Sequence, residues 1–238
     1  MGMNCRLIFS GLFVFASTFL AAQNDKQLKQ KSFHKQLKET STAQIHQLKN
    51  GALLVRLKTN ELAISALNKN GQSSKAEAVE KKQAQINKNI IAAFKKEFNF
   101  CPVYFFYSNY STAIKNREFD KVIFLNDSLQ SDATIKFVQP NFFIAEFGTV
   151  EQDTAKYVAD RILEPNGNFS VKETKTYSGG PSFGYEGLLI RSDQFVQLRH
   201  PFPYMVRTHD APLVKKKVVN KMVRTINKKL TKFYEHQG

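Results

Sequence analysis

Gly51-Ala-Leu-Leu-Val-Arg-Leu57 is a short apolar run that comes after Asn50 and gives way to polar Lys58-Thr59-Asn60, and this pattern predicts a buried strand. The segments next in the chain decide the fold. Glu61 to Lys69 has helical character and stops at Asn70-Gly71, a C-terminal signal because glycine takes the left-handed backbone there without strain. A second helix is expected to open at Ser74, with Glu77 in capping-box position. It carries Val79, Ile86, Ile90, Phe94 and Phe98 at helical period. Cys101-Pro-Val-Tyr-Phe-Phe-Tyr107 then reads as a central strand, with Pro102 tolerated only at its start. Strand, helical hairpin and strand in that order is the unit of an α/β sheet with crossover connections.

Working outward, Lys121-Val-Ile-Phe-Leu125 and Phe142-Phe-Ile-Ala-Glu-Phe147 are further strand candidates. From Leu163 the texture changes: Glu164-Pro-Asn-Gly167 is a turn signal and Tyr177 to Gly184 a Gly/Ser/Pro loop. Tyr185 to Ile190 and Phe195 to Arg199 flank Arg191-Ser-Asp-Gln194 as a hairpin would, and Tyr204-Met-Val-Arg-Thr208 adds an edge strand. Leu213 to Glu235 is a helix whose apolar face holds Val218, Val219, Met222, Val223, Ile226, Leu230 and Phe233. The expected architecture over 51–238 is therefore a single α/β domain. Its mixed β-sheet is flanked by helices, with a helical hairpin near its N-terminus and a C-terminal amphipathic helix. Residues 23–50, rich in Lys and Gln, read as a basic polar arm that is marginally helical, with a thin stripe of Leu28, Phe33, Leu37, Ile45 and Leu48.

Residues 1–22 read as a cleavable export signal. Arg6 gives a positive n-region, Leu7 to Phe19 an apolar stretch, and Ala21-Ala22 a small-residue cleavage site before Gln23. The stretch is shorter than the roughly 20 apolar residues a membrane span needs. The address implied is periplasmic or secreted. Cys5 lies in that signal, which leaves Cys101 as the one thiol beyond it. An internal disulfide is thereby excluded from the mature chain, and stability must come from the core.

The formal net charge of +15 is unevenly spread. Residues 23–50 carry six Lys against Asp25 and Glu39, and residues 214–238 carry eight Lys and Arg against Glu235, while the body between is nearly balanced. On the C-terminal helix Lys216, Lys217, Lys221, Arg224, Lys228 and Lys232 lie mostly opposite the apolar face. Such a helix suits an anionic membrane surface or an acidic envelope component, or simply packs on the sheet with a solvated basic face. With few aromatics among the terminal lysines, no specific nucleic-acid partner is expected.

Catalytic signals are sparse. Cys101 lacks the second thiol of a Cys-x-x-Cys pair, so dithiol redox chemistry is excluded, and it reads as a small buried hydrophobe. The five histidines show no metal-ligand spacing; no metal and no cofactor is expected. Glu146 reads as a member of an ion pair with a Lys or Arg. The glycine loop ending at Gly184 leads into a strand rather than a helix N-terminus, so it reads as a connector, not a phosphate cradle. Charged and aromatic groups concentrate at Tyr185, Arg191, Arg199, His200, Tyr204, Arg207 and His209, the candidate binding residues.

The Ala22-Gln23 junction, Asn50 to Leu57, Phe100-Cys-Pro-Val-Tyr-Phe-Phe-Tyr-Ser108 and Phe195-Val-Gln-Leu-Arg-His-Pro-Phe-Pro-Tyr204 together resemble an uncharacterised exported protein family of Bacteroidota-type bacteria. The resemblance spans about residues 48 to 235. It implies export and a bacterial origin and carries no activity. The expectation is an exported, non-catalytic protein that acts by binding or structural association. The alternative is a periplasmic enzyme with a site near Arg191, His200, Arg207 and His209.

Overall fold

The computed structural model describes residues 35–150, 155–163, 169–177, 185–208 and 213–236. Residues 35–49 form helix α1. It is followed by β1 (Ala52–Leu57), α2 (Glu61–Lys69), α3 (Ser73–Glu97), β2 (Val103–Tyr107) and the short α4 (Ser111–Lys115). Then come β3 (Phe142–Val150), β4 (Ala155–Leu163), β5 (Phe169–Tyr177), β6 (Tyr185–Arg191), β7 (Met205–Arg207) and α5 (Lys216–Glu235). Five strands make one mixed sheet in the order β2-β1-β3-β6-β7, while β4 and β5 form a separate two-stranded sheet among the described residues. β1 runs parallel to both β2 and β3; β6 is antiparallel to β3, and β7 to β6. This is the α/β single-domain fold that the sequence predicts.

The period-two alternation of β1 sorts the core into two faces. Leu53, Val55 and Leu57 share one cluster with α1, α3 and α5, including Ile45, Phe94, Val219, Met222 and Ile226. Ala52 and Leu54 share the other with Ile114, Val122 and Phe124, which come from the crossover joining β2 to β3. Both faces are therefore covered, as a central parallel strand requires. α3 reaches α5 and the residues just before it through side chains as well as packing. Asn89 Nδ2 donates to the Val214 carbonyl at 2.7 Å, and Arg224 binds Glu97 through two nitrogens, at 2.7 and 2.9 Å.

Four local expectations are corrected. The segment 23–50 is a regular helix over its described part, 35–49, and belongs to the core: Ser41, Ile45 and Leu48 lie on one face and are buried. The weak Ile45/Leu48 stripe suffices because β1 begins immediately after the helix and its apolar side chains meet that stripe. Gly51 makes the junction possible, since a Cβ there would overlap the Asn141 carbonyl and approach the Gln47 carbonyl oxygen to 2.8 Å. Lys121 to Leu125 is not a strand: Phe119–Lys121 is a 3-10 turn, and Phe124 and Leu125 make only isolated bridges, to Phe106 and Ser131. Its strand-like apolar residues instead plug the second core, with Val122 and Phe124 buried.

Phe195 to Arg199 likewise pairs with β6 only at Arg191–Gln197, and β7 takes the place beside β6. Phe195 has φ 61°, in the left-handed region, which breaks the extended run at its first residue. Finally, α3 opens at Ser73 with Gln72 at its cap and no side-chain cap bond, so the Ser74/Glu77 capping box is not formed. Glu77 pairs instead with Lys81, one turn on, at 2.5 Å.

Candidate functional site

The candidate site lies where α5 leans over the open side of β7. β7 is the last strand of the sheet among the described residues, so one row of its backbone groups faces away from β6. The Tyr204 carbonyl accepts from Ile190 N at 2.7 Å and Thr208 N donates to the Glu186 carbonyl at 2.8 Å, which turns the even-numbered residues toward β6. Met205 and Arg207 therefore present their peptide groups outward. Lys229 of α5 meets that edge, its Nζ donating to the Met205 carbonyl at 3.2 Å. β6 must come close for β7 to sit here: a Cβ on Gly187 would stand 2.6 Å from the Val206 carbonyl oxygen.

Between the strand and the helix is a groove of about 460 Å³. Met205, Val206, Val218 and Met222 supply its apolar surface, Thr208 and Thr225 its hydroxyls, and Arg207, Lys221 and Lys229 its charge. No Asp or Glu lines it among the described residues. Among the described residues the charged lining is thus cationic beside an apolar floor, a combination that suits an acid group carried on an apolar body.

The residues singled out in the sequence are not gathered there as a set. Arg207 and Lys221 line the groove. Arg191 lies at the other end of β6: Arg207 pairs with Gly187, four residues earlier on that strand. Arg199 and His200 are exposed beside the cis His200–Pro201 peptide, and Tyr204 packs half-buried against the main core. The backbone of Tyr185 starts β6, whereas its side chain, His209 and the glycine loop ending at Gly184 lie outside the described residues. On α5, Lys216, Lys217, Lys221, Arg224, Lys228 and Lys232 are all exposed. Arg224 is engaged by Glu97, so it serves the α3–α5 junction rather than an open basic surface. Lys229 is the lysine that reaches the strand edge, and no sequence pattern distinguishes it from its neighbours.

Arg191 has a different function, and Glu146 proves to be the ion-pair member expected of it. Glu146 Oε2 accepts from Arg56 Nη1 at 2.7 Å and Oε1 from Arg191 Nε at 2.6 Å. Arg56 Nε also donates to Ser111 Oγ at 2.8 Å, and Arg191 Nη1 to the Phe195 carbonyl at 3.1 Å. This largely buried triad ties β1, β3 and β6 together on the second face of the sheet. Cys101 packs at the rim of the main core, and burial pushes its thiol up to about 12, so the reactive thiolate is scarce at neutral pH. Among the described residues no group of three or more His, Cys, Asp or Glu side chains is placed to hold a metal ion, and no helix is long and apolar enough to cross a membrane.

Comparison with known proteins gives no match: no family model, no curated protein and no solved structure matches the chain.

Proposed function

We propose that this chain is an exported, non-catalytic binding protein that holds an acidic, partly apolar ligand in the groove between β7 and α5. The observation that carries the reading is the pairing of Lys221 and Lys229 with the apolar floor of Val206, Val218 and Met222, without a carboxylate among the described lining residues. Charge-assisted hydrogen bonds contribute about 1.5–3 kcal/mol each, so two of them separate an acidic from a neutral ligand by orders of magnitude. Export rests on residues 1–22, and sequencing the N-terminus of the periplasmic or secreted protein tests it, with Gln23 as the expected first residue.

The binding reading is tested by calorimetric titration of the purified protein with dodecyl phosphate, and with dodecyl maltoside as an uncharged control, both below their micelle concentrations. Dodecyl phosphate is expected to bind, to weaken as salt is raised, and to bind at least about tenfold more weakly to Lys221→Glu. Lys221 is the residue to change because it is exposed, whereas Lys229 also holds the strand edge. Equal binding of both amphiphiles, or an unchanged affinity in Lys221→Glu, overturns the proposal.

A further inference from the structure

A second site stands at the opposite side of the sheet, and it arises from the way the chain leaves β1 and β2. These strands are parallel neighbours. From the carboxyl end of β1 the chain passes to α2 and α3, and α3 packs on the face that holds Leu53, Val55 and Leu57. From the carboxyl end of β2 it passes to the segment that covers the face holding Ala52 and Leu54. Adjacent parallel strands whose connections depart to opposite faces leave a crevice between their carboxyl ends, where open α/β sheets receive ligands.

That crevice has a volume of about 660 Å³. Lys58 and Thr59, just after β1, and Tyr107, closing β2, form its base. α2 and α3 form its walls, and α2 has no buried residue, so its inner side chain Ile64 faces the crevice while only half-buried. Two of its lining side chains, Gln83 and Asn87, belong to a line of amides that begins just outside it at Asn60: Asn60 Nδ2 donates to Gln83 Oε1 at 2.8 Å, Gln83 Nε2 to Asn87 Oδ1 at 2.9 Å, and Asn87 Nδ2 to the Lys58 carbonyl at 3.0 Å. Gln83 and Asn87 are 9% and 3% exposed, so this line is fixed in position.

We propose that the crevice binds an uncharged polyhydroxyl ligand of mono- or disaccharide size. Gln83 and Asn87 each spend one N–H and one oxygen lone pair in the line, which leaves each a second N–H and a second lone pair, and an amide that both donates and accepts matches a hydroxyl, which does the same. The ionisable lining is balanced, Lys58 and Lys69 against Glu61 and Glu80, so a net charge of either sign would meet like charge. Tyr107, Ile64 and Ala84 add an apolar side for the C–H face of a sugar ring.

The experiment is a heteronuclear NMR titration of the purified protein with glucose, N-acetylglucosamine and maltose, and with dodecyl phosphate as a control for the groove. At least one sugar is expected to shift the side-chain amides of Asn60, Gln83 and Asn87 together with the Tyr107 backbone, while dodecyl phosphate leaves them unmoved. Ala84→Phe narrows the crevice from the α3 side and is expected to weaken sugar binding at least tenfold with an unchanged circular dichroism spectrum. Ser65→Trp narrows it from the α2 side, and serves where Ala84→Phe fails to fold. Absence of shifts with all three sugars, or wild-type affinity in a folded variant, overturns the proposal.

Discussion

Replacing Glu146 by alanine tests the central claim about how the sheet is held. Glu146 and Arg191 side chains are each 12% exposed and Arg56 27%, so all three lie mostly out of water. The carboxylate accepts two charge-assisted hydrogen bonds of 2.6 and 2.7 Å. Removing it deletes both bonds and leaves two guanidinium groups facing each other without a counter-charge. Breaking a fully buried pair costs about 3–5 kcal/mol, and the partial exposure of Arg56 places the expected loss near the lower end, about 3 kcal/mol. For a domain of this size that lowers Tm by roughly 6–12 °C. Urea unfolding followed by circular dichroism measures it: the midpoint falls while the slope stays constant. The triple variant Arg56→Met, Glu146→Leu, Arg191→Met is expected to recover most of the loss, because apolar side chains of similar volume carry no desolvation penalty. A loss below about 1 kcal/mol in Glu146→Ala would show that water already solvates the two arginines, and the argument would fail.

Other perturbations have equally definite outcomes. Cys101, its thiol raised to about 12 by burial, is expected to resist alkylation at pH 8 in the folded protein and to react fully in urea, as read by mass spectrometry of the Cys101 peptide. Rapid native labelling would contradict its burial. Glu97 is held below the usual glutamate range, chiefly by its hydrogen bond from Arg224. A depressed carboxyl contributes stability above its unfolded pKa and loses it as pH falls through the folded value, so Glu97→Gln should lower Tm at pH 7 and have no effect in strong acid. Gly51→Ala is expected to destabilise the fold by several kcal/mol, about 3 or more, because its Cβ meets backbone on two sides. Gly187→Ala, whose closest contact is the Val206 carbonyl oxygen at 2.6 Å against 2.3 Å to the Asn141 carbonyl oxygen at Gly51, should cost less but weaken groove binding by displacing β7, a combination that calorimetry and thermal melts resolve together.

The fold was legible where the chain keeps to one period and punctuates it. β1, the helical hairpin, β2 and α5 all combine a clean apolar pattern with turn or stop residues, and Gly71 does adopt the left-handed backbone, with φ 68°, that its place after α2 predicts. β4 and β5 went unread because their stretches mix charges with apolar residues, as in Ala155-Lys-Tyr-Val-Ala-Asp-Arg161. A signal was nevertheless present: Phe169-Ser-Val-Lys-Glu-Thr-Lys-Thr-Tyr177 is rich in β-formers and comes after the Pro165-Asn-Gly167 turn. Lys121 to Leu125 failed in the opposite sense, since burial of alternate side chains looks the same whether or not the backbone finds a partner strand.

The chemistry was harder to read, because it depends on strand order. Glu146 could be recognised as half of an ion pair, but Arg56 became its partner only through the parallel register of β1 on β3. The same holds for Gln83 and Asn87: one turn apart on a long polar helix, they look like solvent-facing residues until α3 is laid over the end of β1.

The distribution of polar groups over the sheet has a physical logic. The three inner strands are flanked on both sides, and the charges Arg56, Glu146 and Arg191 that they carry satisfy one another; none of these lines the groove or the crevice. Their role is to fix the order of β1, β3 and β6. Both proposed sites instead involve the outermost strands, β7 and β2, where a strand has one neighbour rather than two and the adjoining helix must complete its surroundings. At β7 the helix offers lysines over an apolar floor, and at β2 the hairpin offers amides. The difference in chemistry comes from which helix lies nearby: α5, with its exposed cations, or the α2–α3 hairpin, with balanced charge and an amide row. One sheet thereby presents two edges of different chemistry, proposed here to take an acid at one and a polyhydroxyl ligand at the other, separated by an ionic triad that ties the strands between them together.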